Sequence, residues 1–317
     1  MADKSSVSGG PIRRVLVAGA GVMGLGIAKS FAAGGFETWL MSRRAGSLDD
    51  APQGIPPGVT VVAAPPKEPV DLAIESVPED LEIKRALFRT LEAALPAGTL
   101  IASNTSSLDL DALFAGMKRP ERFLGAHYFQ PAEVFPMVEV IAGSRTDPAA
   151  LDRVAEAMKR TGKTAIVMRA PVVGFLINRI QHAILHEAYH LISTGACTVK
   201  DVDDVARHVL GPRMCITGLI QQKDISGLKV HAIAQREIVP NLAHDRTPNP
   251  DVQAMVAGGA AGLAGGKGFY DWAGIDARAV RAQATAGLNA LLEFLGKLHA
   301  KENPALAPKA RDIRAKK

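Results

Sequence analysis

The sequence predicts an α/β domain built on a doubly wound, mostly parallel sheet, followed by an all-α domain. Three observations carry this. From Arg13 to about residue 170, short apolar runs rich in β-branched residues alternate with segments of helical period, the pattern of a parallel sheet covered on both faces by helices. Beyond Pro171 the strand signal fades and apolar residues recur at helical spacing. The chain has 317 residues, which is long for one core and fits about two domains.

Taken in order, residues 1–11 (MADKSSVSGGP) are small and polar and read as a flexible tail, without the apolar centre of a secretory signal. Val15-Leu16-Val17-Ala18 is a short buried strand. Gly19-Ala20-Gly21-Val22-Met23-Gly24 follows at once and fits G-x-G-x-x-G. Met23, Ile27 and Phe31 then recur at helical spacing until Gly34-Gly35, and Glu37 to Met41 is the second strand. In a strand–turn–helix context Gly19 permits the tight turn, Gly21 lets a pyrophosphate approach the backbone, and Gly24 lets helix and strand pack closely. The N–H groups of Val22 and Met23 at the helix start would face the phosphates. This stretch therefore reads as a dinucleotide site on a Rossmann-type domain spanning residues 12–170.

A Gly/Pro-rich link leads to a third strand, Val59 to Ala63, and a fourth, Asp71 to Val77. Glu79 to Leu95 has helical periodicity and stops at Pro96 and Gly98. Thr99 to Ser103 is a fifth strand and runs into Asn104-Thr105-Ser106-Ser107. A short helix, Asp109 to Met117, precedes a sixth strand, Phe123 to Ala126, which delivers His127-Tyr128-Phe129-Gln130-Pro131. Val138 to Ile141 is another strand, Asp147 to Thr161 a helix, and Thr164 to Met168 the last strand. The helical domain, residues 171–300, opens with a long segment from Val173 to Ile192. Asp201 to Val209, Leu219 to Val239, Asp251 to Ala257 and the alanine-rich Ala277 to Leu298 follow, with breaks at Gly227, Pro240, Pro248 and Pro250. Residues 301–317 form a basic tail.

Composition narrows the function classes. Hydrophobic content of 47% and charged content of 22% describe an ordinary globular protein. No apolar run reaches the ~20 residues of a bilayer span. Two cysteines, Cys197 and Cys215, form neither a disulfide framework nor a metal pattern. A reducing cytoplasm and no metal are expected. The net charge of +5 owes much to Lys309, Arg311, Arg314, Lys316 and Lys317, with no aromatic residues interleaved. That favours a solvated tail over a nucleic-acid surface.

His127 and Glu139 are the candidate reactive pair. A strand–loop–strand return brings them together, and an imidazole held by a carboxylate is a natural general base. The order GAGVMGLGIA, SVPED, SNTSSL, GAHYFQP, MVEV and VGFLINRI, continuing through KDISGL and GGKGFYDW, resembles the L-3-hydroxyacyl-CoA dehydrogenase family from Arg13 to Trp272. The resemblance implies hydride exchange between a nicotinamide cofactor and the C3 hydroxyl of an acyl substrate. His127 would take the hydroxyl proton, with Glu139 as its partner, and Ser106 and Asn178 would hydrogen-bond the reacting oxygen. Glu79 and Lys84 would line the cofactor cleft beside Ser106 and Gln130, and the helical domain would form a homodimer.

Four departures bear on ligand choice. The acidic residue expected after the second strand is Ser42, followed by Arg43 and Arg44, which suits the 2′-phosphate of NADP over the free hydroxyl of NAD. Ala45 to Gly58 leaves no room for the family's helical arm that contacts CoA. Gln130 replaces the Asn of the family's H-F-F-N-P, and the lysine before the final glycine-rich turn is Ala264, with Lys267 nearby. The expected substrate is a 3-hydroxyacyl-CoA such as 3-hydroxybutyryl-CoA. The alternatives are a free 3-hydroxy acid or other secondary alcohol without CoA, and a nucleotide-binding protein that has lost catalysis.

Overall fold

The computed structural model describes residues 9–43, 54–299 and 309–311. The start of the expected N-terminal tail, Arg44, most of the Gly/Pro link and most of the basic tail lie outside the described residues.

Eight strands form one sheet in the order β3-β2-β1-β4-β5-β6-β7-β8. They are β1 (Arg14–Ala18), β2 (Glu37–Met41), β3 (Val59–Val62), β4 (Leu72–Glu75), β5 (Leu100–Ser103), β6 (Phe123–Tyr128), β7 (Met137–Ala142) and β8 (Thr164–Met168). All neighbouring strands pair in parallel except β6 with β7. The short return through residues 129–136 explains the exception, since a parallel pair needs a crossover of a dozen or more residues. Helices α1 (Val22–Ala33), α2 (Leu81–Ala94), α3 (Leu110–Leu113) and α4 (Pro148–Arg160) connect the strands. β4, β5 and β6 are buried along their whole length, which is why they read as continuous apolar runs rather than alternating ones.

Each face of the sheet carries its own core. Ile27 and Phe31 of α1 and Leu151, Val154 and Met158 of α4 pack with Val15, Val17, Leu124 and Val140. On the other face Phe88 and Leu91 of α2 pack with Leu16, Ile101, Phe114 and Phe123. The edge-to-face contacts of Phe88 with Phe114 and Phe123 lie at 5.3 and 6.0 Å, within the favourable range for aromatic pairs.

The chain falls into two compact units, residues 1–181 and 182–317. The first reaches past the expected boundary at 170. Residues 171–181 belong to it because Glu139 and Ser106 bond the stretch from Leu176 to Asn178. Helix α5 (Ile177–Ser193) starts four residues later than the apolar periodicity suggests, because Gly174 (φ 78°) and Phe175 (φ 51°) are left-handed and cannot sit in a helix.

In the second unit the remaining helices are α6 (Val199–Val205), α7 (Gly211–Thr217), α8 (Gln221–Ser226), α9 (Leu228–Ile238), α10 (Pro250–Ala257) and α11 (Ala277–His299). The helical segment from Leu219 to Val239 divides into α8 and α9 at the expected break, Gly227, whose φ is 95°. Among the described residues of this unit, Ala188 alone is buried. An apolar cavity of about 400 Å³ opens between Tyr189, Ile192, Val256, Phe269 and Trp272. Among the described residues, no helix is long and apolar enough to cross a membrane.

Candidate active site

The glycine turn lies where the strand order reverses, between β1 and β4, the expected place for a ligand in such a sheet. Gly19 has φ 122°, and a Cβ there would sit 2.3 Å from the Ser76 carbonyl oxygen. A Cβ on Gly24 would sit 1.8 Å from the carbonyl oxygen of Gly19. Neither position tolerates a side chain. Gly21, which caps α1, has open space around it. The first bond within α1 runs from Leu25 N–H to the Gly21 carbonyl, so the N–H groups of Val22, Met23 and Gly24 precede it and stay available. Open space in front of such donors fits a pyrophosphate. Ser42 directly follows β2, its N–H bonded to the Val62 carbonyl at 3.0 Å, and Arg43 is exposed beside it.

His127 lies within β6 rather than just beyond a strand end, and Glu139 is its direct cross-strand partner on β7. The imidazole Nδ1 is 2.7 Å from Glu139 Oε2. The other oxygen, Oε1, accepts the N–H groups of Leu176 at 2.8 Å and Ile177 at 3.0 Å. Burial pushes the Glu139 carboxyl up, but His127 and these two N–H groups outweigh it and hold it below the usual carboxylate range. An ionised carboxylate only accepts. Nδ1 therefore carries the proton, which leaves Nε2 as the basic nitrogen. Phe129 and Phe175 pack against the imidazole, with ring centroids at 5.1 and 5.5 Å.

Phe175 matters beyond its ring. A positive φ in a bulky residue costs about 1–3 kcal/mol and persists only where its surroundings enforce it. Here the side chain is 1% exposed, and the turn it makes aims the start of α5 at Glu139. Three residues on, Asn178 donates from Nδ2 to the Ser106 carbonyl at 2.9 Å. His127, Glu139, Asn178 and Ser106 are thus joined through residues 176–178.

The turn carrying Ser106 is gathered by Glu79. Its Oε1 accepts from Thr105 Oγ1 at 2.5 Å, Ser106 N–H at 2.9 Å and Ser107 N–H at 3.2 Å. Partial burial raises the Glu79 carboxyl, but Thr105, Lys84 and Ser106 prevail and hold it at about 2. Lys84, expected to line the cofactor cleft, is 1% exposed. Its Nζ lies 2.6 Å from Glu75, 3.2 Å from Glu79 and 3.2 Å from the Val77 carbonyl. It supports the loops from within the fold. Gln130 is exposed just after β6, and Ala264 and Lys267 lie in the second unit between α10 and α11.

Three residues of this arrangement were not foreseen: Glu75, Phe175 and Asn104. Asn104 Oδ1 accepts the Tyr128 N–H at 2.9 Å and ties the end of β6 to the Ser106 turn. A signal for Glu75 existed, because a carboxylate that ends the apolar run Leu72-Ala73-Ile74 must be paired if that strand is buried to its end.

Fold and site together define a nicotinamide-dependent dehydrogenase acting on a CH–OH group. The family model for the 3-hydroxyacyl-CoA dehydrogenase NAD binding domain matches residues 14–67 and 64–171, and that for the C-terminal domain matches residues 174–272. The chain belongs to the 3-hydroxyacyl-CoA dehydrogenase family. It is 27% identical, over 90% of its length and 98% of the relative's, to 5-formyl-3-hydroxy-2-methylpyridine 4-carboxylate 5-dehydrogenase of Mesorhizobium japonicum. Over 82% of its length and 99% of the relative's it is 28% identical to 3-hydroxybutyryl-CoA dehydrogenase of Clostridioides difficile. A crystal structure of a dehydrogenase of the first kind, described as an NAD+ dependent dismutase, superposes with a TM-score of 0.81 at 26% identity. The match covers 90% of this chain and 99% of the other.

Proposed function

We propose that this dehydrogenase interconverts a 3-hydroxyacyl substrate and its 3-oxoacyl partner, with His127 as the general base in oxidation and general acid in reduction. The observation that carries this reading is the His127–Glu139 pair, joined through residues 176–178 to Asn178 and Ser106. A hydride leaves C3 as the hydroxyl loses its proton, so a base is needed beside that oxygen. Nε2 of His127 fills this role, and Ser106 and Asn178 polarise the same oxygen in the reverse direction. A nicotinamide cofactor, when bound, would accept or supply the hydride.

A second reading, a free 3-hydroxy acid or other alcohol without CoA, is favoured by one specific observation. Only residues 42–58 separate β2 from β3, too few for a long helical arm that would grip CoA. The Mesorhizobium relative, whose name carries no CoA, also supports it. A panel of CoA esters and free hydroxy acids, followed by absorbance of the reduced nicotinamide, decides between them. Turnover of 3-hydroxybutyryl-CoA is the expected result, and the first reading fails if no CoA ester reacts. If nothing in the panel reacts, the silent-protein alternative gains ground.

For the cofactor, Ser42 and Arg43 in place of an acidic residue support NADP over NAD. Arg43→Ala is then expected to weaken NADP binding about tenfold, as for the loss of a charge-assisted contact, while NAD binding barely changes. Equal losses in a fluorescence titration would count against 2′-phosphate recognition.

A homodimer through the second unit is supported by how little that unit buries. Ile220, Ile225 and Val230 are 75%, 68% and 66% exposed, an amount of apolar surface that marks an interaction face. Light scattering at twice the chain mass is the expected outcome.

A further inference from the structure

Five side chains around the carboxyl ends of β4 and β5 close a ring. Ser103 Oγ donates to Glu75 Oε2 at 2.6 Å and accepts the Thr105 N–H at 3.2 Å. Thr105 Oγ1 donates to Glu79, and Lys84 Nζ bridges Glu79 to Glu75 Oε1. Glu75 Oε1 also accepts the Val77 N–H at 2.7 Å. Glu75 is 0% exposed, so each of its partners is an internal one. Burial raises its carboxyl, against the pull of Lys84, Ser103 and Val77.

The ring joins two loops with different tasks. On one side, Ser76 and Val77 form the floor beneath the glycine turn. The Ser76 N–H bonds the Ala18 carbonyl at 2.8 Å, and any side chain on Gly19 would strike the Ser76 carbonyl. On the other side, Ser103 and Thr105 launch the turn that carries Ser106 and meets Asn178. The loop that seats the cofactor and the loop that meets the reacting oxygen are therefore held to one carboxylate.

We infer that Glu75 is a positioning residue: with Lys84 and Ser103 it sets the spacing between the dinucleotide turn and the Ser106 turn, and so the alignment of nicotinamide and substrate. This rests on the proposed oxidoreduction. Glu75 touches neither ligand. Its carboxylate suits the task because it accepts from Lys84, Val77 N–H and Ser103 at once. An amide presents N–H groups at one of those positions and removes the charge that faces the buried ammonium.

Steady-state kinetics, nucleotide titration and hydrogen exchange on Glu75→Gln test this. The expected result is a fall in kcat of about 10–100-fold, the scale of a small misplacement of reacting groups. KM and the affinity for reduced nicotinamide nucleotide should stay within about threefold of the parent, since uniform binding is untouched. Amide exchange should rise together in residues 76–79 and 104–108. If Glu75→Gln does not fold, two other variants carry the test. Ser103→Ala opens the ring at one bond, and Glu75→Gln/Lys84→Met replaces the ion pair by a neutral pair. Both should show the same kcat loss without an affinity loss. Wild-type kcat in either variant, or exchange that rises in 76–79 alone, overturns the inference. If the parent protein oxidises no hydroxyacyl substrate, the functional reading fails, while the exchange and nucleotide measurements still decide the role of Glu75.

Discussion

His127→Gln lowers kcat by about 10²–10⁴-fold, the usual contribution of a positioned general base. The substitution is chosen so that structure is kept while chemistry is lost. A glutamine amide reaches Glu139 and donates to it as Nδ1 does, so the buried carboxylate stays paired. An amide nitrogen cannot accept a proton at neutral pH, so the substrate hydroxyl would have to lose its proton to water. The packing of Phe129 and Phe175 against the ring position limits the access of water there. Nucleotide affinity is expected to stay near that of the parent, because the glycine turn from Gly19 to Gly24 runs between β1 and the first turn of α1, whereas His127 is held on β6 by β7. Turnover equal to the parent's in the nicotinamide absorbance assay would refute the role of His127.

The second large effect is at Glu139. In Glu139→Gln the amide oxygen can serve either the two N–H groups of Leu176 and Ile177 or the imidazole, but not both. Oriented toward the two backbone donors, it presents its NH₂ to Nδ1 of His127. The imidazole must then accept at Nδ1, which places its proton on Nε2 and removes the proposed base. An analogous Asp-to-Asn change in a serine-protease triad lowers kcat about 10⁴-fold through the same tautomer switch, and a loss of about 10²–10⁴-fold is expected here. Oriented the other way, the amide repels the start of α5 and displaces Asn178.

The same variant has a pH signature. The Glu139 carboxyl is held below its ordinary value in the folded protein. A depressed value contributes stability that is fully present above about pH 4.3, the unfolded value, and is lost as pH falls through the folded one. Thermal melts should therefore show Glu139→Gln less stable than the parent at neutral pH, with the gap narrowing below about pH 4. A gap that stays constant down to pH 2 would mean that the ionised carboxylate is not what holds the site together.

Much of this was legible along the chain because the relevant signals are local. A β-branched run followed by three spaced glycines and a helical period names a strand, a phosphate-sized turn and a helix before any contact is known. The steric reasons at Gly19 and Gly24 turned out to be backbone carbonyls of Ser76 and Gly19 itself. Less was legible where two distant stretches meet. His127 was placed just past a strand end, whereas pairing with β7 extends β6 through Tyr128. The helix read from Val173 begins at Ile177 because Phe175, an ordinary helix-compatible residue by type, takes a positive φ where it packs against His127. Lys84 was read only as lining the cofactor cleft, and its buried ion pair with Glu75 on β4 could not be read from the sequence.

The order of the strands in the first unit and the glycine turn follow from the sequence alone, since periodicity and backbone sterics act over a few residues. The tertiary structure decided the partners. Antiparallel register set His127 opposite Glu139, and a left-handed turn at Gly174-Phe175 brought N–H donors from 37 and 38 residues away onto its free oxygen. A desolvated carboxylate must collect donors wherever the fold supplies them, and that supply depends on register and chain reversal, which no local pattern encodes.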